Sequence, residues 1–458
     1  MHRFSPQMAL LADGVLGAAA LTIESLDGEG RGVARSAGKV VFVEGALPGE
    51  TVTADIFKKK PTFDLARVRS VLRASPDRVV PRCPHFGVCG GCTLQHAGSA
   101  LQIAAKQRTL EDALERIGRL RAERILPPIE GPAWGYRFRA RLSVRHVPKK
   151  GGVLVGFHER KSSFVADMRE CHVLPKKISD ALPALRELVG ALTIRDRLPQ
   201  IEVAVGERPG TYDGLVYVLV LRILAPLATA DARLLAEFSS AQGVDIWLQT
   251  GGPDTAAPLH PTEALLAYQL PEFAVTLPFA PTEFTQVNSA INRVLVRRAV
   301  ALLDPRPGEQ IVDFFCGLGN FTLPIARSGA TALGIEGNSA MVRRAQANAL
   351  ANGLAERAQF RAANLANPPP GFVAGLGQVD RVLIDPPREG AIELVKTMLP
   401  CGDADAPTRI VYIACNPATL ARDAAVLVHD RRYRLTAAGV VNMFPHTAHV
   451  ESITVFDR

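Results

Sequence analysis

Residues 310–324, QIVDFFCGLGNFTLP, constrain the fold more than any other stretch of the chain. An apolar run over 311–315 stops at Gly317-Leu318-Gly319-Asn320, and a helical pattern begins near Phe321. A strand that ends in a glycine turn and re-enters as a helix points backbone N–H groups at whatever lies above the strand end. The next strand pattern, 331–335, ends in Glu336, where nucleotide-binding α/β units place a carboxylate against ribose hydroxyls. Any such turn favours glycine, so the motif alone does not decide. The loop reads G-x-G-N rather than G-x-G-x-x-G, which weakens a dinucleotide reading and leaves room for a smaller adenosine cofactor such as S-adenosylmethionine.

From residue 281 onward strands alternate with helices: helices over 290–303 and 339–352, strands over 358–362, 380–384 and 409–414, and closing strands near 435–440 and 452–456. This alternation predicts a doubly wound, Rossmann-like sheet, whose ligands bind at the carboxyl ends of the strands. Phe315, Glu336, Asn364, Asp385 and Cys415 all fall at such ends and are expected to converge on one crevice. Asp385-Pro386-Pro387 forms a stiff turn like those with which amino-methylating enzymes hold an exocyclic amine, which favours adenine-N6 methylation. Cys415 points elsewhere. It precedes Asn416-Pro417 at a helix start, where the dipole lowers a thiol from its ordinary pKa of about 8.5 and makes a nucleophile. The bland alternative is a small core cysteine.

At 458 residues the chain has room for about three domains of roughly 150 residues each. Short alternating runs punctuated by glycine over 15–74 predict a small β-barrel of the OB kind. Lys58, Lys59 and Lys60, flanked by Phe57 and Phe63, suit single-stranded RNA, as does a net charge of +8. A central region, 75–280, opens with Cys83, Cys89 and Cys92 and holds Cys171 further on; four thiolates fit tetrahedral zinc or an iron–sulfur cluster, and spacing does not choose. A helix over 98–118 carries Ile103, Leu110, Leu114 and Ile117 on one stripe. In the strand pattern RFRARLSVR, Arg137, Arg139, Arg141 and Arg145 share the face opposite the apolar residues, an arrangement that grips several phosphates. Residues 180–275 carry no legible chemistry. Seven cysteines, unevenly spread, argue for a reducing compartment rather than a disulfide framework. The apolar run 8–23 contains Asp13 and lacks a cleavage site, so a cytoplasmic protein with no membrane association is expected.

Long motifs across nearly the whole chain resemble the bacterial RNA uracil-5-methyltransferases: PTEFTQVN, DFFCGLGNFTLP, IDPPREGA, YIACNPATLARD and MFPHTAHVES. The barrel, of the TRAM type, and the four cysteines resemble the ribosomal-RNA branch of that family. Ala414 and Asn442 depart from its commonest pattern. The resemblance implies a [4Fe-4S] cluster on Cys83, Cys89, Cys92 and Cys171. It implies S-adenosylmethionine held by Gln286, Phe315, Asn320, Glu336, Asn364 and Asp385, with Cys415 as nucleophile and Glu451 as base. It also implies a multidomain α/β enzyme with a methyltransferase domain over 281–458, against which helix 101–118 packs, and a monomer that methylates a uridine of 23S rRNA. Two other classes stay open: an adenine-N6 methyltransferase, which needs no cysteine, and a non-catalytic RNA-binding iron–sulfur protein of ribosome assembly. A dinucleotide-dependent dehydrogenase is more distant.

Overall fold

The first four strands are short because glycines punctuate that stretch, and the next two run to nine and eleven residues. The computed structural model describes residues 20–208, 214–261 and 266–458; residues 15–19 of the expected barrel and most of the 8–23 run lie outside these. Strands β1 (Leu21–Thr22), β2 (Ser25–Leu26), β3 (Gly32–Ser36), β4 (Lys39–Glu44), β5 (Thr51–Lys59) and β6 (Phe63–Arg73) form one sheet in the order β1-β5-β6-β4-β3-β2. Its core is Leu21, Ile23, Ala34, Val41, Val43, Val52 and Ala66. Lys58 and Lys59 form the end of β5. Phe57 stands exposed with the Arg67 guanidinium 5.9 Å from its ring.

Then follow α1 (Ser99–Ala113), β7 (Arg124–Ile125), β8 (Arg139–Val147), β9 (Gly152–Gly156), α2 (Lys176–Ala191), β10 (Gln200–Glu207), β11 (Leu215–Arg222), α3 (Thr229–Gln242), β12 (Asp245–Gln249), β13 (Ala257–Pro258), β14 (Leu266–Leu270) and β15 (Val275–Phe279). A second sheet runs β13-β12-β11-β10-β14-β15, with β8 and β9 branching from β10. The remainder is α4 (Ser289–Leu303), β16 (Gln310–Phe314), α5 (Thr322–Arg327), β17 (Thr331–Glu336), α6 (Ser339–Ala351), β18 (Ala358–Ala362), β19 (Arg381–Ile384), α7 (Ile392–Val395), β20 (Arg409–Ala414), α8 (Pro417–Ala425), β21 (Arg434–Val441) and β22 (Glu451–Asp457).

The third sheet, β18-β17-β16-β19-β20-β22-β21-β7, is parallel from β18 to β20, and β22 runs antiparallel between β20 and β21. Both faces of a parallel sheet must be covered, which is why β16, β19 and β20 read as continuous apolar runs. Leu110 and Leu114 of the α1 region lie in the cluster that includes Val312, Ile384 and Leu420, and β7 pairs with β21. A segment from the first half of the chain is thereby built into the last sheet. The helical stripe differs from its expected phase. The five residues after α1, Leu114–Gly118, wind as a π-turn, which rotates Ile117 out to 51% exposure, while Gln102 and Lys106 are buried.

Contacts divide the chain into two compact units, Met1–Val79 and Val80–Arg458. The sequence reading has a further boundary at 280; an apolar cluster joining Ala204, Val218 and Leu277 to Leu295, Ile413 and Val455 crosses that point. Among the described residues no helix is long and apolar enough to cross a membrane.

Candidate active site

At the carboxyl edge of the third sheet lies a crevice of about 1070 Å³. Its wall includes Gln286, Phe315, Gly317, Asn320, Glu336, Asp385, Arg388, Cys415, His449 and Glu451. The turn after β16 is shaped by backbone that L-residues rarely adopt: Phe315, Gly317 and Gly319 have φ of 63°, 54° and 94°. Glycine takes such angles freely, but Phe315 is strained there, and strain of this kind gathers at functional sites. Glu336, at the end of β17, reaches across this turn. Its carboxylate accepts from Gly317 N–H at 3.2 Å and from Asn338 N–H at 3.0 Å. Asn320 is fixed by a two-way amide pair with Asn292, at 3.0 and 3.1 Å, and by the Tyr268 hydroxyl at 3.2 Å.

Asn364 does not join this wall. It follows β18, the outermost strand, and its exposed side chain accepts from the N–H groups of Ala366 and Asn367 at 3.1 and 3.2 Å. A residue at a strand end on the sheet's margin is far from the strands that carry Cys415 and Glu451, which the strand-end argument does not register.

The opposite wall is acidic. Burial raises the Asp385 carboxyl to about 7. Burial, with Asp385 adding to it and Lys106 opposing it, raises Glu451 to about 8. Beneath them Asp313, buried and accepting from the Thr322 hydroxyl at 2.5 Å, is raised to about 8, again chiefly by burial. Cys415 follows β20 immediately before the Asn416 cap of α8. The expected thiolate is corrected here: burial first, then Glu451 and Asp385, push the thiol up to about 11, and Arg388 pulls only partly against them. A helix dipole is a half-charge at best, and it loses to two carboxyl groups and desolvation.

Lys106 is the residue that sequence reasoning missed. It is 2% exposed, and its ammonium donates to Asn442 Oδ1 at 2.7 Å and to the Phe444 carbonyl at 2.8 Å. Gln102 accepts from His446 N–H at 2.8 Å, and Thr93 and Leu94 N–H both donate to the His446 carbonyl at 2.9 Å. The turn 442–450 leading to Glu451 is therefore held from the segment 93–106. The available signal was a lysine at a position of α1, between Ile103 and Leu110, where the stripe calls for an apolar side chain.

The arginine row separates into different roles. Arg139 is largely buried and donates to the Pro281 carbonyl, Arg137 lies over the Phe157 ring, and Arg141 pairs with Glu202 on β10 at 2.9 Å. Arg141 and Arg145 are the exposed members. An acid on the neighbouring strand is invisible to a one-strand reading.

Cys83, Cys89, Cys92 and Cys171 line one small cavity, and all four thiols are free. Burial raises all four, Cys92 to about 11 and Cys171 to about 12; neighbouring thiols add to the effect at Cys89, Cys92 and Cys171, and Glu170 adds to it at Cys83. The donor set suits a thiolate-bound cluster in kind and number, with no carboxylate in the cavity wall. Among the described residues no three such side chains are drawn onto one point as metal ligands.

A TRAM domain model matches residues 20–68, and a tRNA (uracil-5-)-methyltransferase family model matches 100–364 and 375–458. The 23S rRNA (uracil(1939)-C(5))-methyltransferase RlmD of Aromatoleum aromaticum is 59% identical over 437 residues, 95% of this chain and 99% of the relative. The protein of the same name from Nitrosospira multiformis is 57% identical over 441 residues, 96% and 98% of the two chains. The crystal structure of Pyrococcus abyssi tRNA (uracil-54, C5)-methyltransferase in complex with S-adenosyl-L-homocysteine shares the fold, with a TM-score of 0.69 and 24% identity over 96% of this chain and 100% of that one.

Proposed function

The chain belongs to the RNA (uracil-5-)-methyltransferase family, and from that membership we propose that it methylates C5 of a specific uridine in 23S rRNA, using S-adenosylmethionine. The observation that carries the reading is a thiol, Cys415, and a buried carboxyl, Glu451, facing one crevice whose far wall is the Glu336–Gly317 turn. The near full-length relatives named as 23S rRNA enzymes support the choice of RNA.

Uracil C5 is too weak a nucleophile to take a methyl group unaided. Attack of Cys415 Sγ on C6 moves the ring electrons toward the C4 carbonyl and makes C5 an enolate carbon. When bound, S-adenosylmethionine supplies the electrophilic methyl group and a positive sulfonium charge. A positive charge in this crevice favours the ionised forms of Cys415, Asp385 and Glu451 together, which offsets the upward shifts that burial imposes. After transfer, Glu451 removes the C5 proton, the ring electrons return, and the C6–S bond breaks to release the thiolate. Gln286, Phe315, Asn320, Glu336 and Asp385 hold the cofactor. The target base leaves its stack to enter, and the barrel and Arg141 and Arg145 grip neighbouring RNA.

Cys83, Cys89, Cys92 and Cys171 are proposed to hold a [4Fe-4S] cluster in a monomeric, cytoplasmic enzyme, where it has a structural role. Protein purified without oxygen is expected to carry about four irons per chain; stoichiometric zinc in its place overturns the cluster. For the activity, RNA containing 5-fluorouridine should trap Cys415 in a denaturation-resistant protein–RNA complex, because fluorine does not leave as a cation. No trapped complex, with methylation surviving Cys415→Ala, would return adenine-N6 methylation to the front. RNA binding without any consumption of S-adenosylmethionine would leave only an assembly role.

A further inference from the structure

We propose that Lys106 is a positioning residue: it fixes the turn that carries Glu451 and sets beside that carboxyl a positive charge that favours its ionisation. This rests on the reading of Glu451 as the base.

Lys106 is the one buried lysine among the described residues. It comes from α1, outside the strand-and-loop framework of the crevice. Its two acceptors, Asn442 Oδ1 and the Phe444 carbonyl, are neutral. Val441 is the cross-strand partner of Glu451, so Asn442 begins the turn whose other end is the base. Phe444, the second anchor, lines the crevice. Glu451 itself is 5% exposed, and its Oε2 has no hydrogen-bond partner. A buried carboxylate with an open oxygen is costly unless a positive charge compensates it.

The other groups around Glu451 do not provide that charge. Asp385, at the end of β19, opposes ionisation of Glu451, and Cys415, after β20, is a neutral thiol or a second anion. His446 and His449, on the same turn, are driven down to about 4 by burial, Lys106 adding to the effect, so they are neutral at working pH. Arg388 acts on Cys415 and His449. Lys106, itself lowered to about 7 by burial, is coupled to Glu451 in the sense required: each favours the charged form of the other. A neutral partner at 442 matters for this, since an acid there would pair with the ammonium and cancel its effect on Glu451.

The sign is then fixed. Removing or cancelling the Lys106 charge raises the pH at which Glu451 ionises, so the acidic limb of the proton-removal step moves to higher pH. The test uses full-length protein with RNA tritiated at uridine C5, and follows tritium release against pH in single turnover. Lys106→Met is expected to move the acidic limb up by about one unit or more, equal to a tenfold slowing at fixed pH on that limb. Asn442→Asp keeps the shape of the side chain and guards against a Lys106 variant that fails to fold. It is expected to move the limb in the same direction by a smaller amount, with trapping by 5-fluorouridine RNA and affinity for S-adenosylmethionine retained. Glu451→Gln is run beside them. If it releases tritium at the normal rate, Glu451 is not the base and the underlying reading fails. If it stalls as a methylated adduct while Asn442→Asp and a folded Lys106→Met keep the unmodified pH profile, the role of Lys106 alone is overturned.

Discussion

The wall of the crevice from Phe315 to Glu336 and the wall carrying Cys415 and Glu451 are assembled in different ways. The first is a βα turn closed by the next strand: Glu336 reaches back to Gly317, and every part of the turn lies within one βαβ unit. The second needs β20, the antiparallel β22 and a turn held by residues of the 93–106 segment. The first depends on backbone geometry that glycines permit. The second depends on side chains that meet only in three dimensions. A cofactor wall of the first kind can serve many chemistries, while the second kind specialises the site for one.

Substitutions can break this contrast. The largest effect is expected on the long-range wall: Cys415→Ala should remove measurable methyl transfer to RNA while calorimetry shows S-adenosylmethionine still bound. Loss of cofactor binding in that variant would mean the walls are not separable. On the local wall, Glu336→Ala removes acceptors for two backbone N–H groups. A hydrogen bond to a charged group contributes about 1.5–3 kcal/mol, and loss of turn order equivalent to one of the two should lower cofactor affinity by roughly ten- to a hundredfold, with single-turnover chemistry at saturation little changed.

A third variant tests the floor shared by both walls. The raised Asp313 carboxyl makes the folded state hold a proton that the unfolded chain has released. Stability from this group is full below the unfolded carboxyl range and declines as pH rises through about 8. Asp313→Asn should flatten that decline in denaturant titrations between acid and mildly alkaline pH; an unchanged slope would place the pH dependence elsewhere. The smallest effect is expected for Asn364→Ala, which should change cofactor affinity by less than about threefold, the range of a surface substitution. A larger loss would extend the cofactor wall onto the loop after β18.

The same contrast explains what could be read in the sequence. The alternation of strands and helices, the glycine turn and the strand-end positions of Phe315, Glu336, Asp385 and Cys415 follow from local pattern, and these residues do line one crevice. Asn364 fell outside because strand ends were counted without strand order. The state of the Cys415 thiol was misjudged because Glu451 and Asp385 come from other strands. The arginine row gives no sign that Arg141 is paired, because Glu202 sits on β10, opposite it in register. Lys106 went unread because a periodic stripe says which face is buried but not that a cation on it has a partner far along the chain.

Gln102 and His446 are separated by 344 residues, yet they hold one turn together. At about 5–20 residues per second of synthesis, α1 emerges roughly 20–70 s before the turn it anchors. Through that interval the buried face of α1 has a lysine without its acceptors and a glutamine oxygen without its His446 donor, and the strand bearing Glu451 does not exist. The glycine turn, Glu336 and even Cys415 are made earlier. Pairings this distant are slow to form, so Glu451 is the last residue of the crevice wall to be set in place. A nascent chain thus has its glycine turn long before the crevice is closed, and the Cys415 thiol only about 2–7 s before Glu451 is made.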